Sequence, residues 1–196
     1  MAIKLRPLNT RVVVKPDDPE ERSKGGIIIP DVAKTKKAMG TVVGIGPGML
    51  MKSGQRWPMP AINVGDRVVY SKYAGSEIRL DGVLHVVLRD DDCMAGGAND
   101  KALKPLMDRV LVRVDKPVDR IGSIIIPDSV QEKPLEGEVI AVGHGKALED
   151  GTLRPLDVKV GDRVTFAKFS GQELVIGGEA FMVFHEDDFF GVVDKT

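Results

Sequence analysis

The sequence predicts an all-β chain made of two small barrels in tandem. Three observations carry this. The chain has 196 residues, twice 98, and either one or two ordinary domains fit that length. Four motifs occur twice in the same order. The apolar residues fall in short β-branched runs divided by Gly, Pro and Asp, in a chain with 22 Gly and 12 Pro. No run of ten or more residues shows clean 3.6-residue periodicity between helix caps.

The repeat reads off the residues. Pro7-Leu-Asn-Thr-Arg-Val-Val-Val-Lys15 matches Pro105-Leu-Met-Asp-Arg-Val-Leu-Val-Arg113, and Ile27-Ile-Ile-Pro-Asp31 returns as Ile124-Ile-Ile-Pro-Asp128. Gly40-Thr-Val-Val-Gly-Ile-Gly46 returns as Gly137-Glu-Val-Ile-Ala-Val-Gly143. Val64 to Gly82 aligns with Val160 to Gly178 at 9 identical positions of 19. The offset drifts only from 98 to 96, the pattern of a tandem duplication. The boundaries follow: a first barrel over 1–95, a small polar linker over 96–100, and a second barrel over 101–196.

In the first copy the expected strands are Arg11–Lys15, Gly40–Ile45, Arg67–Tyr70, Ser76–Leu80 and Leu84–Leu88. Val64-Gly65-Asp66 and Val160-Gly161-Asp162 read as turns feeding strands. Glu149-Asp150-Gly151-Thr152 carries the Asp-Gly signature of a tight hairpin. Tyr70, Tyr73, Phe166 and Phe169 sit at repeat-matched positions, which predicts core packing, and Cys93 and Trp57 read as packing residues.

Composition excludes several classes. Lys+Arg number 28 against 29 Asp+Glu, a net charge of −1, where a non-specific nucleic-acid binder needs a positive excess. No apolar run approaches the ~20 residues that cross a bilayer. One cysteine and three scattered histidines, His85, His144 and His185, offer no metal-ligand spacing, so no metal or cofactor is expected. The N-terminus shows no secretory or transit pattern, so the expected compartment is the cytoplasm, with the plastid stroma as the alternative for a mature protein.

One segment does not behave like core. Pro16 to Met39 is charged, Gly-rich and Pro-punctuated around three isoleucines, and a connection of that length is more often functional than not. A short buried strand is the plain alternative. Three consecutive isoleucines cannot all face one side of a half-buried strand, however, and the tripeptide recurs in an equally polar setting in the second copy. Such a segment can dock as a strand or hairpin into a partner's apolar groove. Burying three Ile contributes roughly 5–9 kcal/mol gross. Ordering each residue costs roughly 1–2 kcal/mol, so useful affinity needs several such segments on one ring.

These motifs resemble the GroES-type 10 kDa co-chaperonins: Pro-Leu-x-x-Arg-Val, Gly-Gly-Ile-Ile-Ile-Pro, Gly-x-Val-x-x-Val/Ile-Gly and Val-Gly-Asp-x-Val. The resemblance covers nearly the whole chain, once per half, and the double form is similar to the two-domain co-chaperonins of chloroplasts. It implies two irregular β-barrels, each with a long mobile loop and a roof hairpin. The implied chaperonin-binding residues are Gly25, Gly26, Ile27, Ile28 and Ile29 in the first loop and Ile124, Ile125 and Ile126 in the second. The implied roof residues are Lys52, Ser53 and Gly54, then Glu149, Asp150 and Gly151. The implied partner is a GroEL-type chaperonin that binds and hydrolyses the ATP, since this chain has no phosphate-binding Gly-x-x-x-x-Gly-Lys-Ser/Thr loop.

The resemblance further implies a ring in which the N-terminal strand of one barrel meets the C-terminal strand of the next. The candidates are Ile3–Leu5 and Leu103–Lys104 against Cys93–Ala95 and Phe189–Val192. Residues 1–98 carry 15 basic and 11 acidic side chains and residues 99–196 carry 13 and 18, a split that favours unlike neighbours. The second loop reads Ile121-Gly122-Ser123 where the first has Lys24-Gly25-Gly26, one glycine fewer and hence stiffer. The first roof segment, Gly48 to Pro60, is more apolar than its counterpart and holds the single Trp.

Two rival classes fit the sequence less well. An enzyme on a related barrel lacks the zinc Cys/His set, and Gly44-Ile-Gly-Pro-Gly48 has the wrong spacing for a dinucleotide loop. A nucleic-acid-binding β-barrel module needs aromatic platforms and a basic groove. Aromatics are 5% of this chain, and Lys34-Thr-Lys-Lys37 reads as a solvated loop flank. Neither nucleic acid nor membrane is an expected partner, and catalytic residues are expected to be absent.

Overall fold

The computed structural model describes residues 5–18, 38–115, 120–121, 124–125, 135–168, 170–176 and 179–193. The described residues form strands and two 3-10 turns, at Asp90–Asp92 and Glu186–Asp188. The chain divides into two compact units, Met1–Leu106 with Ala147–Leu153, and Met107–Lys146 with Arg154–Thr196.

The first unit contains β1 (Arg11–Pro16), β2 (Met39–Ile45), β3 (Arg67–Tyr70), β4 (Ser76–Leu80), β5 (Val83–Arg89), β6 (Cys93–Gly97) and β7 (Lys104–Pro105). They make one sheet in the order β4-β5-β1-β2-β3-β6-β7. All five strands expected in the first copy are present, within two residues at each end. Val12, Val14, Val42, Val68, Tyr70, Leu88 and Cys93 pack as its core. Cys93 is fully buried, the packing role expected of it.

The second unit repeats this plan with β8 (Arg109–Val114), β11 (Glu136–Val142), β14 (Arg163–Phe166), β15 (Gln172–Ile176), β16 (Glu179–His185) and β17 (Phe189–Val193). Their order is β15-β16-β8-β11-β14-β17, strand for strand the order of the first sheet without its last member. Phe166, Phe184 and Phe189 stack with centroids 4.4 and 5.3 Å apart around Phe184. They stand where the first copy has Tyr70, Leu88 and Cys93. Two short pairs complete the chain: β9 (Arg120–Ile121) with β10 (Ile124–Ile125), and β12 (Lys146–Ala147) with β13 (Leu153–Arg154).

The glycines of the repeated motif are there because backbones meet. A Cβ on Gly46 would lie 2.1 Å from the carbonyl oxygen of Asn9, and on Gly143 2.0 Å from that of Met107. Gly46 N donates to Arg11 O and Gly143 N to Arg109 O, both at 2.8 Å. The Gly-x-Val-x-x-Val/Ile-Gly strand thus closes directly on the Pro-Leu-x-x-Arg turn in both copies. Gly65 and Gly161 serve differently: both hold positive φ, +100° and +92°, in the Val-Gly-Asp turn.

One packing expectation fails. Tyr70 and Phe166 are buried, but Tyr73 is 92% exposed. It lies in the turn after β3, beyond the sheet, with the Lys72 ammonium 5.9 Å from its ring centroid and not in the core. Phe169 lies outside the described residues.

Candidate functional site

Gly25, Gly26, Ile27, Ile28, Ile29 and Ile126 lie outside the described residues, as does the Lys34–Lys37 flank. The structure does describe where their segments leave and re-enter the sheets. In the first unit Asp17 N donates to Met39 O at 3.0 Å, so the two ends of the 18–38 segment meet. In the second, Asp115 N donates to Glu136 O at 3.1 Å in the same way. Each isoleucine segment is therefore carried on a closed base between a sheet's first two strands.

A guanidinium fastens each base. Arg67 Nη1 and Nη2 donate to the two carboxylate oxygens of Asp17 at 2.8 and 2.6 Å, and Nη1 also donates to Thr41 Oγ1 at 3.1 Å. Its Nε donates to Asp100, between β6 and β7, at 2.6 Å. The hydrogen bond to Asp17 is the largest cause of a raised Arg67 pKa, with burial opposing it. The matched Arg163 donates to Asp115 and to Glu136. Sequence reasoning missed this clamp, although the signal was present: Arg67 and Arg163 are identical in the Val-Gly-Asp-Arg block, and Asp17 and Asp115 are identical at an offset of 98.

In the second segment Ile124 and Ile125 pair antiparallel with Ile121 and Arg120 as β10 against β9. The tripeptide there begins as half of a two-stranded pair, with Gly122 and Ser123 joining the strands in the sequence.

Both segments expected to form the roof are hairpins of one type. Met51 N donates to Gln55 O at 2.8 Å and Gly54 N to Met51 O at 3.0 Å, with Gly54 at φ +82°. Leu148 N donates to Thr152 O and Gly151 N to Leu148 O, both at 2.9 Å, with Gly151 at φ +87°. Asp150 Oδ1 accepts from Thr152 N and Oγ1, locking the expected Asp-Gly turn. Lys52, Ser53, Gly54, Glu149 and Asp150 are exposed at the tips, and Gly151 is half-buried.

Each hairpin is tied to the 3-10 turn of its copy by a different donor. Trp57 Nε1 donates to the buried Asp90 at 2.8 Å. At the matched positions Arg154 Nη2 donates to Glu186 at 2.5 Å, and Glu186 also accepts from Asp157 N at 2.5 Å. The half-buried Trp57 therefore satisfies a buried carboxylate.

The three histidines are satisfied. His85 Nδ1 lies 3.0 Å from Val83 O, and His144 Nδ1 accepts from Met107 N at 3.3 Å. His185 Nδ1 sits 3.1 Å from both carboxylate oxygens of Asp108. Burial pushes the Asp108 carboxyl up, but the hydrogen bond and charge of His185, with Arg109, outweigh it and hold it below the ordinary carboxylate range. Among the described residues no group of three or more His, Cys, Asp or Glu could hold a metal, and no helix is long and apolar enough to cross a membrane.

The sheet edges differ. Beyond β6, β7 pairs Ala95 with Pro105 and Gly96 with Lys104, one residue along from the expected contact at Leu103–Lys104. Leu106, next in the chain, joins the first core. Among the described residues the matched edge strand β17 has no strand beyond it. Met94 on β6 is 5% exposed, while its counterpart Phe190 on β17 is 75% exposed.

A family model described as "Chaperonin 10 Kd subunit" matches residues 4–96 and again 102–193. The chain belongs to the chaperonin 10 family, with two of its domains in tandem. The 20 kDa chloroplastic chaperonin of Spinacia oleracea is 36% identical over 193 residues, covering 96% of this chain and 75% of that protein. The one from Arabidopsis thaliana is 36% identical over 172 residues, covering 86% and 67%. The co-chaperonin GroES of Geotalea uraniireducens is 51% identical over 94 residues, covering 47% of this chain and 98% of that protein. The role of this tandem chaperonin 10 chain is that of a co-chaperonin.

Proposed function

We propose that this co-chaperonin caps a GroEL-type chaperonin ring and assists folding of the polypeptide enclosed beneath it. Ile27–Ile29 and Ile124–Ile126, with Gly25 and Gly26 before the first tripeptide, dock on the partner as apolar strands. The observation that carries the proposal is the match of the chaperonin 10 model to both halves. The closed bases at Asp17 and Asp115 support it, because they hold the two ends of each isoleucine segment together at its sheet. The tips at Lys52–Gly54 and Glu149–Gly151 form the roof. Nucleotide hydrolysis belongs to the partner, and this chain carries out no catalysis of its own.

The domain boundaries we propose are 1–95, a linker over 96–100, and 101–196. Assembly proceeds by strand addition at β17: the N-terminal segment of another copy takes the place that Lys104–Pro105 takes on β6. An exposed apolar edge strand invites such pairing, and head-to-tail contacts of this kind close into rings when the rotation allows. Each chain brings two domains, so a ring of this chain alone holds an even number. A sevenfold partner then leaves a site empty, a domain over, or a place for a single-domain co-chaperonin.

The relatives that match over most of the chain are named chloroplastic. This supports the plastid stroma over the cytoplasm expected from the sequence.

The test is to mix the protein with a GroEL-type chaperonin, with and without ATP, and to look for a capped complex by electron microscopy. A nucleotide-dependent cap is the expected result, and its absence at micromolar concentrations of both proteins overturns the proposal.

A further inference from the structure

In the first unit a groove of about 470 Å³ is lined by Arg11, Gly75, Ser76, Val87, Arg89 and Asp92. We propose that it is an oxyanion site, taking a phosphate or carboxylate group between the two guanidinium groups.

The argument begins with register. Arg11 on β1 and Arg89 on β5 are direct cross-strand partners, and both are exposed. Like charges placed directly opposite each other destabilise a sheet. Sheets tolerate such a pair when something neutralises it. Among the described residues neither guanidinium has an ion-pair partner.

The second repeat shows what neutralisation looks like in the same frame. Its matched pair, Arg109 and His185, is also in direct register. There a carboxylate is built in. Asp108 lies 3.1 Å from His185 Nδ1 and 3.9 Å from Arg109 Nη1, with its side chain only 17% exposed. The first repeat has Thr10 at that position, so the basic pair is kept and its internal counter-ion is missing.

Asp92 does not supply it. Its Oδ2 accepts the backbone N–H of Arg89 at 2.8 Å, as the matched Asp188 accepts that of His185 at 2.9 Å. This carboxylate belongs to the turn in both copies, including the one that already has Asp108. Of the other two acids in the turn, Asp90 is held by Trp57 Nε1 and Asp91 does not line the groove. Two guanidinium groups against one engaged carboxylate leave the groove net positive. Arginine forks match phosphate and carboxylate oxygens bidentately, and Ser76 adds a hydroxyl to the rim. The volume exceeds that of a bare phosphate, leaving room for the molecule that carries the group.

The experiment uses the full chain, titrated with sodium phosphate and with sodium acetate against sodium chloride at equal ionic strength, followed by amide NMR shifts around Arg11, Ser76 and Arg89. Saturable binding in roughly the millimolar range is expected for at least one oxyanion. Phosphate and acetate separate the two sources of the charge. Thr10→Asp, which installs the second repeat's counter-ion, weakens binding at least tenfold and raises the thermal midpoint of the anion-free protein. Arg89→Gln weakens binding by a similar factor, and Arg89→Lys, which keeps the charge but loses the fork, falls between. If neither oxyanion shifts these amides beyond the chloride control, or if Thr10→Asp binds as tightly as the parent, the site does not exist.

Discussion

Arg67 fastens the base from which the first isoleucine segment leaves the sheet, and removing it should loosen that base by a measurable amount. The perturbation is Arg67→Met, with Asp17→Asn and the double variant completing a cycle. The Arg67 side chain is 18% exposed and that of Asp17 30%, so the pair sits between two regimes. Fully exposed pairs contribute about 0–1 kcal/mol, whereas hydrogen bonds to charged groups contribute about 1.5–3 kcal/mol. Two short bonds, at 2.8 and 2.6 Å, and partial screening place the coupling at about 1–2 kcal/mol. Asp100 is 62% exposed, so its coupling to Arg67 should be below about 0.5 kcal/mol. For a unit of this size each kcal/mol moves the thermal midpoint by about 4–8 °C. Urea denaturation of the four proteins gives the coupling free energy, and the same variants should weaken chaperonin binding by the first segment. A coupling below about 0.3 kcal/mol, or one no larger than that of Arg67 with Asp100, would refute the clamp.

Three further outcomes follow from named contacts. Gly46→Ala and Gly143→Ala each drive a Cβ to about 2 Å from a carbonyl oxygen, so both should cost about 3 kcal/mol, at the upper end of overpacking effects, read as a lowered urea midpoint. Trp57→Phe leaves the buried Asp90 without its indole donor and should cost about 1.5–3 kcal/mol. Because Trp57 is the only tryptophan, Asp90→Ala should also red-shift the protein's emission. Asp108 has a folded pKa held below its unfolded value, so its contribution is fully present above about pH 4 and is lost as pH falls through the lower folded pKa. Asp108→Asn should therefore flatten the fall in thermal midpoint between pH 5 and pH 3.

Much of the fold was legible because the chain states it twice. Short β-branched runs, Gly punctuation and repeat alignment together located β1 to β5, and the paired motifs coincide with glycines, Gly46 and Gly143, that a close backbone approach requires. Position along the chain does not say which way a side chain points, however. Tyr73 matched Phe169 in the alignment yet stands in solvent, because a turn residue obeys no strand alternation. The clamp at Arg67 and Asp17 was hidden for a related reason. Its partners are 50 residues apart, and only the identity of both in both copies hinted that they meet. The exchange of Trp57–Asp90 for Arg154–Glu186 left no such trace, since the acid is kept only in kind and the donor changes from an indole to a guanidinium.

The central claim is that the isoleucine tripeptides grip a chaperonin ring, and the most direct measurement is nucleotide-dependent capping and substrate refolding by segment variants. Ile27–Ile29 and Ile124–Ile126 are changed to Ser separately and together, and the variants are assayed with a GroEL-type partner. Each single-segment variant should cap with reduced affinity, and the double variant should neither cap nor support refolding while keeping its parent's thermal midpoint. A double variant that still caps the ring and still yields folded substrate would contradict the account.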